Sequence, residues 1–249
     1  MGMTRAERLK LSSAKGSFLN NLTVVGVLLF VCNACALFYL SDFESRGVRL
    51  ASSLVLVLYY IFLLPKYSRL LILILVSFII RDCAALVYET PLGVYSYFSF
   101  GLIAYLILTF KQFRNLKQYR FEYPSVLSIV LFAIASFFIL YNLETAVEPY
   151  FENTSTPFFF YVLGTSVIIV LFMAVYYYYR LGSLRALIFC FSVFAFMLSD
   201  VLSNFAYYAD LFYLFLFVRF FYLAGLILLI NYGVSHELRE KEDEYNKEA

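Results

Sequence analysis

Asp82 and Asp200 stand inside long apolar stretches of this 249-residue chain, and two arginines, Arg81 and Arg219, stand in apolar stretches as well. A charged side chain at the centre of a membrane helix costs roughly 2.5–3.5 kcal/mol on insertion scales, so each of these four is expected to have a use. Brought together they would form a polar chamber for acid/base chemistry or for a ligand. The alternative is a network that only holds helices together, with Asp200 on Arg219 and Asp82 on Arg81. Neighbouring residues on a helix point about 100° apart, so Arg81 and Asp82 are not expected to face one small pocket squarely.

The elements that must position these residues follow from composition. The chain is 63% hydrophobic, 21% aromatic and 14% charged. Globular domains are nearer 45–50% apolar and about 25% charged, so the surplus is expected to face lipid in a polytopic, all-α membrane bundle. Runs long enough to cross a bilayer occur at about 18–40, 48–64, 69–88, 92–110, 124–142, 156–178, 186–208 and 211–233. Pro65, Pro91, Pro124, Pro157 and Gly182 punctuate the links. The short Glu89–Pro91 link predicts an antiparallel hairpin of the third and fourth spans. The expected organisation is a basic segment at 1–17, an eight-helix domain at 18–235 and a charged tail at 236–249.

The basic residues give the direction. With eight spans, fifteen of the 19 Lys and Arg residues fall at the termini and in the even loops, and only Arg46 and Arg49 fall in the odd loops. That asymmetry places both termini in the cytoplasm, and the composition suits a bacterial inner membrane. The apolar run at Leu22–Leu40 is too long for a signal-peptide core and is expected to remain as the first span. Tyr176–Tyr179 followed by Arg180 reads as an interfacial aromatic belt.

Direction gives depth at about 1.5 Å per residue. Asp82 comes to about 18–20 Å from the inner face, Asp200 to a similar level, and Arg219 to about 12 Å below the outer face. Asn33 and Thr165 reach nearly the same plane, and Asn204 shares the face of Asp200. An offset of 118 residues lays Ser77–Asp82 over Ala195–Asp200, which suggests two parallel four-helix repeats.

Several functions lack their residues. Cys32, Cys35, Cys83 and Cys190 have no metal-ligand company and His236 is the only histidine, so neither a metal site nor a cofactor is expected. No lysine lies within a predicted span to carry a retinal Schiff base, and no Gly-x-Ser-x-Gly or Walker motif occurs. Basic residues spread over the loops give no nucleic-acid face. A homodimer is left open.

The segment Phe196-Met197-Leu198-Ser199-Asp200-Val201-Leu202-Ser203 resembles the late Ser-Asp motif of the YhhN-like membrane proteins, the lysoplasmalogenase family. Asp82 takes the place of that family's earlier aspartate. Pro65-Lys66 and Tyr222-Leu223-Ala224-Gly225 are similar to its other short motifs, and the likeness covers nearly the whole chain in layout. Arg81 stands where the family has glycine, and Gly225 where it has glutamine.

The resemblance implies a membrane hydrolase that cleaves the vinyl ether of a lysophospholipid-like lipid. A general acid would protonate the enol-ether carbon, and a base would help water add to the oxocarbenium ion. It implies Asp82 and Asp200 as catalytic residues, with Asp82 ionised and Asp200 the acid. Arg81, Arg219, Asn204, Ser199, Asn33, Thr165 and Tyr222 would bind the substrate, with an arginine on its phosphate. The competing expectations are a lipid- or ligand-binding sensor or assembly module without turnover and, less well matched, a transporter.

Overall fold

In the computed structural model, residues 5–63, 68–116, 134, 136–145, 156–209 and 211–247 are described. They are helical almost throughout: α1 (Arg5–Tyr39), α2 (Asp42–Leu63), α3 (Arg69–Leu86), α4 (Pro91–Leu116), α5 (136–145), α6 (Thr156–Leu181), α7 (Leu184–Tyr208) and α8 (Leu214–Lys247). The expected fifth span, 124–142, falls largely outside the described residues, as do Pro65 and Lys66. Among the described residues, six helices are long and apolar enough to cross a membrane: those containing Asn20–Tyr39, Asp42–Phe62, Pro91–Phe113, Pro157–Leu181, Leu184–Tyr208 and Leu214–Val234.

The third predicted span is the helix α3, but Arg69, Arg81 and Asp82 within 18 residues set it apart from those six. Its charges are sorted by face. Leu73, Val76, Ile80 and Cys83 form an outward stripe at helical spacing, while Arg81 and Asp82 are buried with Ile74 and Phe78. The bundle closes as a ring in which α1 packs on α2, α2 on α3, α3 on α4, α4 on α6, α6 on α7, α7 on α8 and α8 back on α1. α2 also touches α8 across the ring.

Local chemistry sets the links. Thr90 caps α4: its Oγ1 accepts from the Gly93 amide at 3.1 Å, and Pro91 fills the first helical position, where no amide is needed. A Cβ at Gly93 would strike the Val87 carbonyl, so the tight α3–α4 turn requires glycine there. Between α6 and α7, Gly182 takes φ of 54° and Ser183 accepts from the Ala186 amide at 3.2 Å.

Two expectations change. α2 begins at Asp42, six residues before the predicted span, so Arg46 and Arg49 belong to a helix and not to a loop. The cause is a capping box: the Ser41 amide and hydroxyl donate to Glu44 at 3.1 and 2.9 Å. The tyrosine run also divides by face. Tyr176 and Tyr177 are buried, with Tyr177 edge-on to Phe189, whereas Tyr178 and Tyr179 are exposed.

Candidate functional site

The polar residues around Asp82, Asp200 and Arg219 form three clusters. The first surrounds Asp82, which is 2% exposed. Its Oδ2 accepts from Ser53 on α2 at 2.6 Å and from Tyr222 on α8 at 2.8 Å. Arg49 on α2 reaches Oδ1 at 3.1 Å, and its guanidinium lies 5.6 Å from the centre of the Tyr222 ring. Asp82 is therefore sealed among three donors from two neighbouring helices.

The second cluster surrounds Asp200. Arg81 grips it two-pronged, with Nη2 2.5 Å from Oδ1 and Nη1 3.4 Å from Oδ2. Tyr105 on α4 donates to Oδ2 at 2.5 Å. Arg81 also donates to the Tyr97 hydroxyl at 2.6 Å, with its guanidinium 4.3 Å from the Tyr97 ring centre. This joins a charge-assisted fork to a cation–π contact.

The third cluster holds Arg219, 5% exposed, among neutral acceptors. Nη1 donates to Asn33 Oδ1 at 3.2 Å, and Nη2 to Ser45 Oγ at 2.6 Å.

A cavity of about 260 Å³ lies where the turns α1–α2, α3–α4 and α7–α8 meet. Arg46, Arg49, Arg81 and Arg219 line it, with Asp42, Glu89 and Asp200. Arg46 is 2.7 Å from Glu89. Tyr88, Tyr97, Tyr207 and Tyr208 also line it. Tyr88 meets the Tyr97 and Tyr207 rings edge-on at 5.2 and 4.9 Å, and its hydroxyl lies 3.2 Å from that of Tyr208.

An aromatic floor lies under both aspartates. Phe78 stacks on Phe196 with ring centres 4.6 Å apart, and Tyr105 and Tyr222 both pack edge-on against Phe78. The ring of Phe196 also accounts for Gly225, where a Cβ would lie 2.9 Å from that ring.

The structure re-sorts the predicted site. Arg81 pairs with Asp200 and not Asp82, and Arg219 meets no carboxylate within 4 Å among the described residues. Asp82 does not line the cavity and shares no donor with Asp200, so the two carboxyls do not face one chamber. The reason is helical: one residue of advance on α3 turns the side chain through about 100°, toward a different neighbour.

Asn204 lines the cavity and donates to the Asp200 carbonyl at 2.8 Å. Asn33 lies behind Arg219, and Tyr222 behind Arg49. Ser199 instead ties α7 to α8 through the Val218 carbonyl at 3.1 Å, and Thr165 is not on the cavity wall. Sequence reasoning missed Arg49, Ser45, Ser53, Tyr97 and Tyr105. The Ser41-x-x-Glu44 box would have brought Arg49 into the helix, on one face with Ser53 four residues on.

Compared with family models, curated proteins and solved structures, the chain shows no match.

Proposed function

We propose that this chain is a membrane receptor for a lysophospholipid-like lipid. The head group enters the cavity while the chain stays among the outward apolar faces. At about 260 Å³ the cavity is smaller than the roughly 300–1,000 Å³ of pockets that enclose drug-sized ligands, which suits a head group and not an acyl chain. One observation carries the reading: Asp82 and Asp200 are each held by an arginine and by hydroxyl donors. Both carboxyl groups are thus engaged, and only Asp200 lines the cavity, so no free acid/base pair faces a ligand there.

A second reading, vinyl-ether cleavage of the lysoplasmalogenase kind, is favoured by the place of Asp200 on the cavity wall. Asp200 would have to leave the Arg81 fork before it could reach the enol-ether carbon. One experiment separates the two. Purified protein in detergent is given a lysoplasmalogen and its saturated-ether analogue. Receptor binding raises the melting temperature equally with both lipids and releases no aldehyde. Aldehyde release that disappears in Asp200→Asn would establish the hydrolase instead.

The same reading takes the helices as eight spans in a bacterial inner membrane, with both termini cytoplasmic and the halves as parallel repeats. The Phe78–Phe196 stack supports the repeat, because those residues are related by the same 118-residue offset as Asp82 and Asp200. The exchange of hydroxyls supports it too: the first aspartate takes Tyr222 from the last helix, and the second takes Tyr105 from α4.

A further inference from the structure

Of the four arginines on the cavity wall, Arg219 is held differently. Arg46, Arg49 and Arg81 each reach a carboxylate, at 2.7, 3.1 and 2.5 Å. Arg219 reaches none within 4 Å among the described residues, although it is 5% exposed. Its fork is oriented by the Asn33 side chain and carbonyl and by Ser45, whose carbonyl accepts at 2.9 Å and whose hydroxyl accepts at 2.6 Å. Asn33 is itself fixed, donating to Ser52 at 2.7 Å and to the Leu29 carbonyl at 2.9 Å.

Such a cradle aims the guanidinium without cancelling its charge. A buried cation without a counter-ion is costly, and an anion in the adjoining cavity would remove that cost. Arg49, on the same wall, has a buried Nε without a hydrogen-bond partner. Asp42, the remaining acid of the wall, is exposed in the first turn of α2, where it offsets the positive end of that helix.

We infer that Arg219 is the anion-recognition residue of the cavity and that its ligand is a phosphate ester. The guanidinium fork matches two phosphate oxygens, and Arg49 supplies a second cation on the same wall. This rests on the lipid-binding reading above and narrows it to the group that is recognised. The phosphate could belong to a lipid head group or to a free phosphoester.

The test uses the full chain in a phosphate-free maltoside detergent, titrated calorimetrically with three probes. These are oleoyl lysophosphatidylglycerol, mono-oleoylglycerol, which keeps the chain but lacks phosphate, and glycerol 3-phosphate, which keeps phosphate but lacks the chain. The phosphate-bearing lipid should bind at least roughly tenfold more tightly than mono-oleoylglycerol, as expected for charge-assisted bonds. Arg219→Gln should abolish that preference, and Arg219→Lys should retain part of it.

Equal binding of the two lipids by the unaltered protein overturns the inference and leaves the lipid reading standing. Glycerol 3-phosphate binding that is lost in Arg219→Gln, with neither lipid bound, supports the inference and rejects the lipid reading. Failure of all three probes to bind overturns both. Should Arg219→Gln fail to fold, the preference of the unaltered protein for phosphate and its partial retention in Arg219→Lys decide the matter.

Discussion

Phe78 on α3 and Phe196 on α7 stack with their planes 20° apart, and each stands four residues before an aspartate. On a helix that spacing puts the ring one turn below the carboxylate on the same face. The stack therefore joins the two helices directly under their charges. Tyr105 and Tyr222, whose hydroxyls hold Asp200 and Asp82, rest their ring edges on Phe78. The floor thus fixes the donors as well as the acceptors.

Phe78→Ala should destabilise the fold by about 3–5 kcal/mol, because a fully packed ring is lost and both tyrosines lose their support. Phe138→Ala, at a ring that is 69% exposed, should stay within about 0.5 kcal/mol. Thermal unfolding in detergent, followed by circular dichroism, compares them. Equal effects would count against the floor.

Asp82→Asn should cost about 3–5 kcal/mol by leaving Arg49 buried without its counter-charge. Arg49→Gln should cost a similar amount. The double variant should cost clearly less than the sum, since the partners are 3.1 Å apart and sealed from the cavity on the Asp82 side. A double-mutant cycle reads the coupling, and strictly additive losses would show that the pair does not act as a unit.

Gly47 and Gly93 should respond oppositely to alanine. At Gly47, within α2, an added Cβ meets nothing within 4 Å, so Gly47→Ala should stabilise by about 0.5–1 kcal/mol through helix propensity. Gly93→Ala should destabilise, because the methyl would collide with the Val87 carbonyl and open the α3–α4 turn. Melting temperatures moving in the same direction would contradict this account.

The proposed arrangement of eight spans with both termini inside predicts an accessibility pattern. In a cysteine-free background, a single cysteine placed at Glu89 should react with a membrane-impermeant maleimide in intact cells. Single cysteines at Gly2 and Asn246 should react only after the cells are opened. Labelling of either terminus from outside would require a different number of crossings.

Much of the architecture was legible in the chain because it depends on local rules. Among the described residues the apolar runs appear as helices, Thr90-Pro91 starts α4, and Gly182-Ser183 separates α6 from α7. Asp82, Asp200, Arg81 and Arg219 are identifiable as charges in apolar company without any coordinates. Arg46 and Arg49 were misplaced because their charges interrupt hydropathy, while the capping box that extends α2 over them is a hydrogen-bonding signal and not a hydropathy signal.

Which charge meets which was decided only by the tertiary structure. Arg81 and Asp82 are consecutive, yet one turns to Asp200 on α7 and the other to Arg49, Ser53 and Tyr222. Spacing along one helix sets the angle between two side chains but not the helix that each will find. That depends on how every helix is rotated in the ring, and the rotation is set by packing of the whole apolar surface, as in the Phe78–Phe196 stack. Sequence placed two acids within the bundle; packing sealed one of them and left the other on the wall of a cavity.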